Sequence, residues 1–461
     1  MKKYQLLTAA AMACSLGVVA PTAVIATDGD VSNPTIEVAP LAEPTHVANP
    51  AALADAIADP NVAEIVLDAN IEVDQALVIE RNLTLNLGGF TLSSATANIR
   101  LLDIKKGTVN LTGTGTILTT GTRGVPVRVY GSSDPTATDY TVVTVGKDVT
   151  LKTTIDDVYG IFISYVTGVP HAYGVVINID GTIDAANGPY INGTIKDTEG
   201  NVPVININDG ATITANGSSG GAIYAAGYAK WNIGAATLTG KSGLVIKSGD
   251  VNLTNTTVNA DGVEADPDPY GDGFNGTGAA IQVEQNSAYA GKIDITINGG
   301  TYTSENSNAV LAYTDDKPED LQQFESLTIN GGTFTAAEGH PVINFIQPED
   351  PEATGTVDDK AIVAINGGSF SSDVADYVAE GSTLKPVKDE NGNISWEVST
   401  PEPVVPPVDE EETNPEAPNS GAISAAEHTY FTNASAIWAG VAILTVAGAV
   451  VVTCRRAGKQ A

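Results

Sequence analysis

Between its two apolar ends the chain holds only four arginines, Arg81, Arg100, Arg123 and Arg128. Cleaving an acidic polysaccharide by elimination requires basic side chains on the substrate face, to take a proton and to stabilise the anion that forms. Arg123 and Arg128 are near enough in sequence to flank one groove, but isolated loop arginines are commonplace. Hydrolysis of a glycosidic bond needs two carboxyls about 5–10 Å apart. Acidic doublets occur at Asp156-Asp157, Asp315-Asp316 and Asp358-Asp359, in polar stretches where such pairs are ordinarily solvated. His171 and His340 each stand beside a proline with no basic motif around them. The densest acidic segment is 261–275, which carries Glu264, Asp266, Asp268 and Asp272 among prolines and glycines. Oxygen ligands on such a loop suit calcium, although the spacing is not that of an EF-hand. These four are the candidate metal ligands, set against the simpler reading of an acidic insertion. No glycine-rich phosphate loop and no nucleophile-plus-base motif occurs, so no catalytic residue is assigned and no cofactor beyond calcium is expected.

The formal charge is −33. Setting aside residues 1–26 and those beyond Ser420 removes five basic residues and Glu427, leaving −37 on the part between. Such a field repels nucleic acid and anionic polysaccharide and favours solubility. Both cysteines lie in the apolar ends, at Cys14 and Cys454, so the segment between them has neither a disulfide nor a thiolate metal site.

Those ends give the address. Lys2 and Lys3 precede an apolar run at 6–20, and small residues surround a cleavage point between Ala26 and Thr27. This is the pattern of a secretory signal, a substrate for the translocon and signal peptidase. Residues 434–454 form a second apolar run, followed by Arg455, Arg456 and Lys459 in the tail 455–461. Twenty helical residues span about 30 Å, a bilayer's hydrocarbon thickness, and the basic tail stays inside. The expectation is a C-terminal transmembrane helix with everything before it exported.

The region that must position any site is repetitive. Aromatics are only 6 % of residues, against 47 glycines and an abundance of Val, Ile, Thr and Asn, which suits short strands and tight turns. Residues 27–48 read as a loose leader. Asn49-Pro50 opens a short helix at 49–59, because Asn caps and Pro fits the first turn. That helix stands where it could cover an open strand edge. Strand-like runs then continue to residue 398. The clearest unit is Ile297-Asn298-Gly299-Gly300-Thr301-Tyr302, which returns at Ile329-Asn330-Gly331-Gly332-Thr333-Phe334 and Ile365-Asn366-Gly367-Gly368-Ser369-Phe370. A variable interval around a fixed corner predicts the coils of a parallel β-helix. Apolar residues on both sides of each corner would face inward and Asn would take the left-handed conformation. About a dozen coils at roughly 4.8 Å each give a rod on the order of 60 Å.

The Ile-Asn-Gly-Gly-Thr-Phe-type corners resemble those of pectate-lyase-like β-helix proteins on Gram-positive-type cell surfaces. So do Ala222-Ile223-Tyr224-Ala225-Ala226-Gly227-Tyr228-Ala229-Lys230-Trp231 and the closing Asp373-Val374-Ala375-Asp376-Tyr377-Val378-Ala379-Glu380-Gly381. The resemblance covers residues 50–398 and implies an all-β, right-handed parallel β-helix. Residues 399–416 form an acidic, Pro-rich stalk. Ala417-Pro418-Asn419-Ser420-Gly421, the spacer 422–433, the apolar run and the basic tail resemble in order the sorting signal of sortase substrates, usually Leu-Pro-x-Thr-Gly. That likeness implies cutting after Ser420 and joining it to cell-wall peptide. Ala for Leu, Ser for Thr and a long spacer depart from the pattern, and a retained membrane anchor is the other reading. The function expected is non-enzymatic surface adhesion to a glycan or to a protein of a host or neighbouring cell. The alternative is an extracellular carbohydrate-active enzyme, either a glycoside hydrolase or a polysaccharide lyase.

Overall fold

The computed structural model describes residues 43–400, apart from 166–171, 194, 196–198, 266–272, 286–288, 290, 315–323 and 347–357. Successive strands fall into three parallel ladders, each strand pairing with its equivalent in the next coil. The chain is all-β with long parallel sheets, the arrangement of a β-helix.

The first ladder runs from Thr45–Val47 and Glu64–Leu67 to Val363–Ile365. Its inward column is Ile65, Leu85, Leu111, Val145, Ile179, Ile207, Ile233, Leu253, Ile297, Ile329 and Ile365, in unbroken register. All are buried. Alternation places every second residue inside, and branched aliphatics of similar size can stack on themselves from coil to coil. Each contributes about 1.5–3 kcal/mol through burial. One position breaks the size rule. Trp231 stands between Ile205 and Val251 in the neighbouring inward column, and its own coil carries the small buried residues Ala222, Ala225, Ala229 and Ala236.

In the second ladder the inward column starts aliphatic and turns aromatic: Leu238 and Val258 give way to Tyr302, Phe334 and Phe370. The rings of Tyr302 and Phe334 stack at 4.7 Å, and those of Phe334 and Phe370 at 5.1 Å. This is what the last residue of each Ile-Asn-Gly-Gly-Thr-aromatic unit does. At these corners the strands Gly249–Ala260, Ile293–Ser304 and Phe324–Thr335 continue from the first ladder into the second, joining both into one 22-stranded sheet.

The corner departs from expectation in one respect. Gly299, Gly300, Gly332 and Gly368 take the left-handed turn, with φ of 88°, 107°, 117° and 129°. The corner asparagines do not. They form an outer ladder instead: Asn330 Nδ2 donates to Asn298 Oδ1 at 2.8 Å, and Asn366 Nδ2 to Asn330 Oδ1 at 2.9 Å. Glycine has no Cβ to clash at positive φ, so the amides remain available for pairing between coils. Asn255, φ 54°, takes the left-handed place in the Leu253-Thr254-Asn255 version.

The third ladder is a separate 10-stranded sheet running from Leu77–Ile79 to Ile343–Ile346. At the N-terminal end, a helix at Pro50–Ala58 is capped by Asn49, whose Oδ1 accepts from the Ala52 N–H at 3.0 Å, and it buries Leu53, Ala56 and Ile57. The strand Thr45–Val47 lies within the stretch read as a leader and pairs with Glu64–Leu67. At the other end the pairing turns antiparallel. Thr383–Lys388 and Ile394–Ser399 form a hairpin whose second strand lies against Gly368–Phe370. No helix among the described residues is long and apolar enough to cross a membrane. The signal residues, the leader up to residue 42, the stalk from residue 401, the sorting motif and the apolar run 434–454 lie outside the described residues.

Candidate functional site

The third ladder's outward face carries an extended row of aromatic and charged residues. Coil by coil its middle column reads Asp103, Arg128, Phe162, Tyr190 and Tyr224. These residues point away from the core by strand alternation, yet each lies on its neighbour because the register is parallel.

The charged end is tightly paired. Arg128 Nε donates to Asp103 Oδ1 at 2.6 Å and its terminal nitrogen to Oδ2 at 2.8 Å, a bidentate fork. The Arg128 guanidinium lies 4.7 Å from the Tyr130 ring centre. Burial works against the Arg128 charge, but the Asp103 hydrogen bond and then its charge outweigh that and raise its pKa. Arg100 lies 5.5 Å over the Phe162 ring and donates to the carbonyls of Ile99 and Arg123 at 3.1 and 2.8 Å. Burial, followed by the neighbouring Arg128 charge, lowers its pKa. Arg123 sits in a turn at φ 57°, and its carbonyl, not its guanidinium, enters this cluster. The expected Arg123–Arg128 groove is therefore an Arg100–Asp103–Arg128 cluster.

Next along the ladder come the stacked rings. Tyr159 and Tyr190 stack at 4.2 Å and Tyr190 and Tyr224 at 5.1 Å, while Phe274 meets Tyr224 edge-on at 5.4 Å. Tyr130, Tyr159 and Tyr190 are half-buried. Tyr224 is buried, and burial raises its phenol pKa far above the usual value.

Beyond Tyr224 the outward face is roofed, and beneath the roof lies a polar box. Lys247 Nζ is 2.7 Å from Glu284 Oε1, with both side chains fully buried. Tyr313 donates to Glu284 Oε2 at 2.6 Å. The Tyr289 ring lies 4.6 Å from Lys247 Nζ, and its hydroxyl accepts from the Gly273 N–H at 3.0 Å. Gln282 completes the wall: Oε1 accepts from the Thr277 N–H and hydroxyl at 3.0 and 2.9 Å, while Nε2 donates to Tyr313 at 3.1 Å. Burial first, then the Glu284 charge, keeps the Tyr313 phenol protonated well above the usual range.

The remaining acidic candidates are dispersed. Among the described residues no three His, Cys, Asp or Glu side chains converge as metal ligands would. Glu264 is exposed, 3.5 Å from His340 Nδ1, while Asp266, Asp268 and Asp272 lie outside the described residues. Asp156 is held by the Ser218 hydroxyl and then the Ser218 N–H, which lower its pKa, so it ties two coils together as a carboxylate. Asp359 accepts from the Tyr377 hydroxyl at 2.8 Å. His171, Asp315 and Asp316 lie outside the described residues. No short motif marks Tyr159, Tyr190, Lys247 or Glu284. The signal that finds them is the inward aliphatic register, which fixes which outward residues become neighbours.

A family model described as "Putative pectate lyase-like adhesive domain" matches residues 44–191. No curated protein and no solved structure matches the chain significantly. The matched segment contains the coils bearing Arg100, Asp103, Arg128, Tyr130, Tyr159 and Tyr190. Its likeness is to an adhesive domain, which suggests adhesion at an exposed surface and leans away from catalysis.

Proposed function

We propose that this chain is a cell-surface adhesin of the β-helix type, and that it binds through the outward face of the third ladder around Tyr130, Tyr159, Tyr190 and Arg128. The observation that carries this reading is the coincidence of the adhesive-domain match, residues 44–191, with that row. Tyrosine edges and a guanidinium held in plane by a carboxylate suit a neutral glycan or a protein loop of a host or neighbouring cell. The charge of −33 disfavours polyanionic ligands. The buried carboxylate of this row, Asp103, is held in a bidentate pair with Arg128, which supports binding over carboxylate-pair hydrolysis.

In this reading, the translocon exports the chain and signal peptidase then cuts between Ala26 and Thr27. A sortase joins Ser420 of the Ala417–Gly421 motif to wall peptide, and the helix at 434–454 holds the chain in the membrane until then. Mass spectrometry of the mature C-terminus tests the anchor: an end at Ser420 on wall peptide supports it, and a retained Arg455-Arg456 tail refutes it. Binding needs no cofactor, so chelation of calcium leaves it unchanged.

The decisive assay compares cells displaying the full chain with cells displaying the Tyr159→Ala/Tyr190→Ala variant, on glycan arrays and on neighbouring-cell monolayers. Wild-type adhesion that falls at least about tenfold in the variant, without release of cleaved sugar, is the expected result, since buried aromatic anchors dominate such contacts. Equal adhesion by the two, or no adhesion above undisplayed cells, sinks the proposal.

A further inference from the structure

The box on the outward face contains an amine and a carboxyl already in contact, and nothing in adhesion uses them. Lys247 directly follows the strand Ser242–Ile246, and Glu284 lies in Ile281–Gln285, the next coil. Ile246 pairs with Val283, so the succeeding residues lie side by side. Both side chains are fully buried, with Lys247 Nζ 2.7 Å from Glu284 Oε1. Separating two charges from water costs more than their attraction commonly returns. Full burial weighs against the charged forms, and the 2.7 Å contact lets one proton pass directly from Nζ to Oε1 to give a neutral amine and a neutral acid.

We infer that Lys247 and Glu284 form an intramolecular amide cross-link between successive coils. After that proton moves, the Nζ lone pair attacks the Glu284 Cδ. Charge builds on Oε2, where the Tyr313 hydroxyl donates at 2.6 Å, and a donor preset at the developing oxyanion is what such a step needs. A second Nζ proton passes to the Oε1 hydroxyl, the Cδ–Oε1 bond breaks, and one water leaves. The Nζ–Cδ bond remains, with one hydrogen on nitrogen, and nothing is oxidised or reduced. Holding the reactants in contact replaces a bimolecular encounter with an effective concentration of about 10⁵ M or more. The Tyr289 and Tyr224 rings, 4.6 and 5.9 Å from Nζ, wall the site off from solvent. The cross-link closes a span of 37 residues. It gives a segment without cysteine the kind of covalent tie that exported proteins otherwise obtain from disulfides.

The test is peptide mapping of the full chain recovered from the producing cells, digested with trypsin. The expected product is a branched peptide joining residue 247 to residue 284, lighter by one water than its two linear parts, with Lys247 resistant to cleavage. Lys247→Met, which keeps the stem and removes the amine, abolishes the branched peptide. Tyr313→Phe lowers the cross-linked fraction severalfold. Recovery of linear peptides containing unmodified Lys247 and Glu284 as the sole species from the folded wild-type chain overturns the inference and leaves the pair a buried salt bridge.

Discussion

Phe334 is sandwiched between Tyr302 at 4.7 Å and Phe370 at 5.1 Å, with ring planes within 12° and 9° of parallel, and it is 0 % exposed. Phe334→Ala removes its burial and leaves a cavity in a column that cannot close, because backbone ladders fix the coil spacing. Large-to-small changes of this kind cost about 3–5 kcal/mol. Two lost stacking contacts add about 0.5–1.5 kcal/mol each, which puts the total at about 4–8 kcal/mol. In a solenoid each coil touches only its neighbours, so the loss should concentrate locally. Hydrogen exchange read by mass spectrometry should show protection falling in peptides from 293–370, while those from 64–191 keep theirs. Phe334→Leu, which retains most of the volume, should cost about 1.5 kcal/mol or less. A Phe334→Ala loss below about 1 kcal/mol, or a loss spread evenly over all coils, would refute the stacked-column account.

Three further expectations follow the same logic. Gly300→Ala forces a Cβ to 2.2 Å from the Thr256 carbonyl at φ 107°, whereas Gly339→Ala, φ 87°, meets nothing within 4 Å; chemical unfolding should show about 1–2 kcal/mol for Gly339→Ala and clearly more for Gly300→Ala. Arg81 donates to the carbonyls of Ala56 and Ile57 at 2.8 and 3.0 Å and to that of Val62; Arg81→Ala should cost about 2–3 kcal/mol and release exchange protection in 50–67 first. Asp156 has a folded pKa held below its ordinary value near 3.8 by Ser218, so its tie is fully present above that value and is lost as pH falls through the lower folded one; Asp156→Asn should flatten acid sensitivity there, and an unchanged acid limb argues against the tie.

The architecture was legible because its determinants are local. Ile297-Asn298-Gly299-Gly300-Thr301-Tyr302 and its two echoes carry both inward columns and the corner within six residues. Glycine, not asparagine, makes the turn, which a corner motif containing both cannot decide by itself. The hairpin Thr383–Lys388/Ile394–Ser399 does not stand out in the sequence, because an antiparallel and a parallel strand share the same alternation. The candidate site was nearly invisible for a different reason. Phe162, Tyr190 and Tyr224 are spread over three coils, and their adjacency exists only through register. The same holds for Lys247 and Glu284. Arg128 is a candidate on sequence alone, but its partner Asp103 lies 25 residues away.

The C-terminal hairpin has a consequence for assembly. A last parallel coil presents unpaired N–H and C=O groups on which another copy's first coil could continue the ladder, and stacking of that kind has no natural end. Ile394–Ser399 runs the opposite way against Gly368–Phe370, so a copy arriving in parallel sense meets a strand of the wrong polarity. The outer strand then exposes Lys385, Pro386 and Lys388, two like charges and a residue that cannot donate a hydrogen bond. In polymer terms the hairpin is a terminator, which fixes the number of coils by sequence and keeps one copy from growing onto the next.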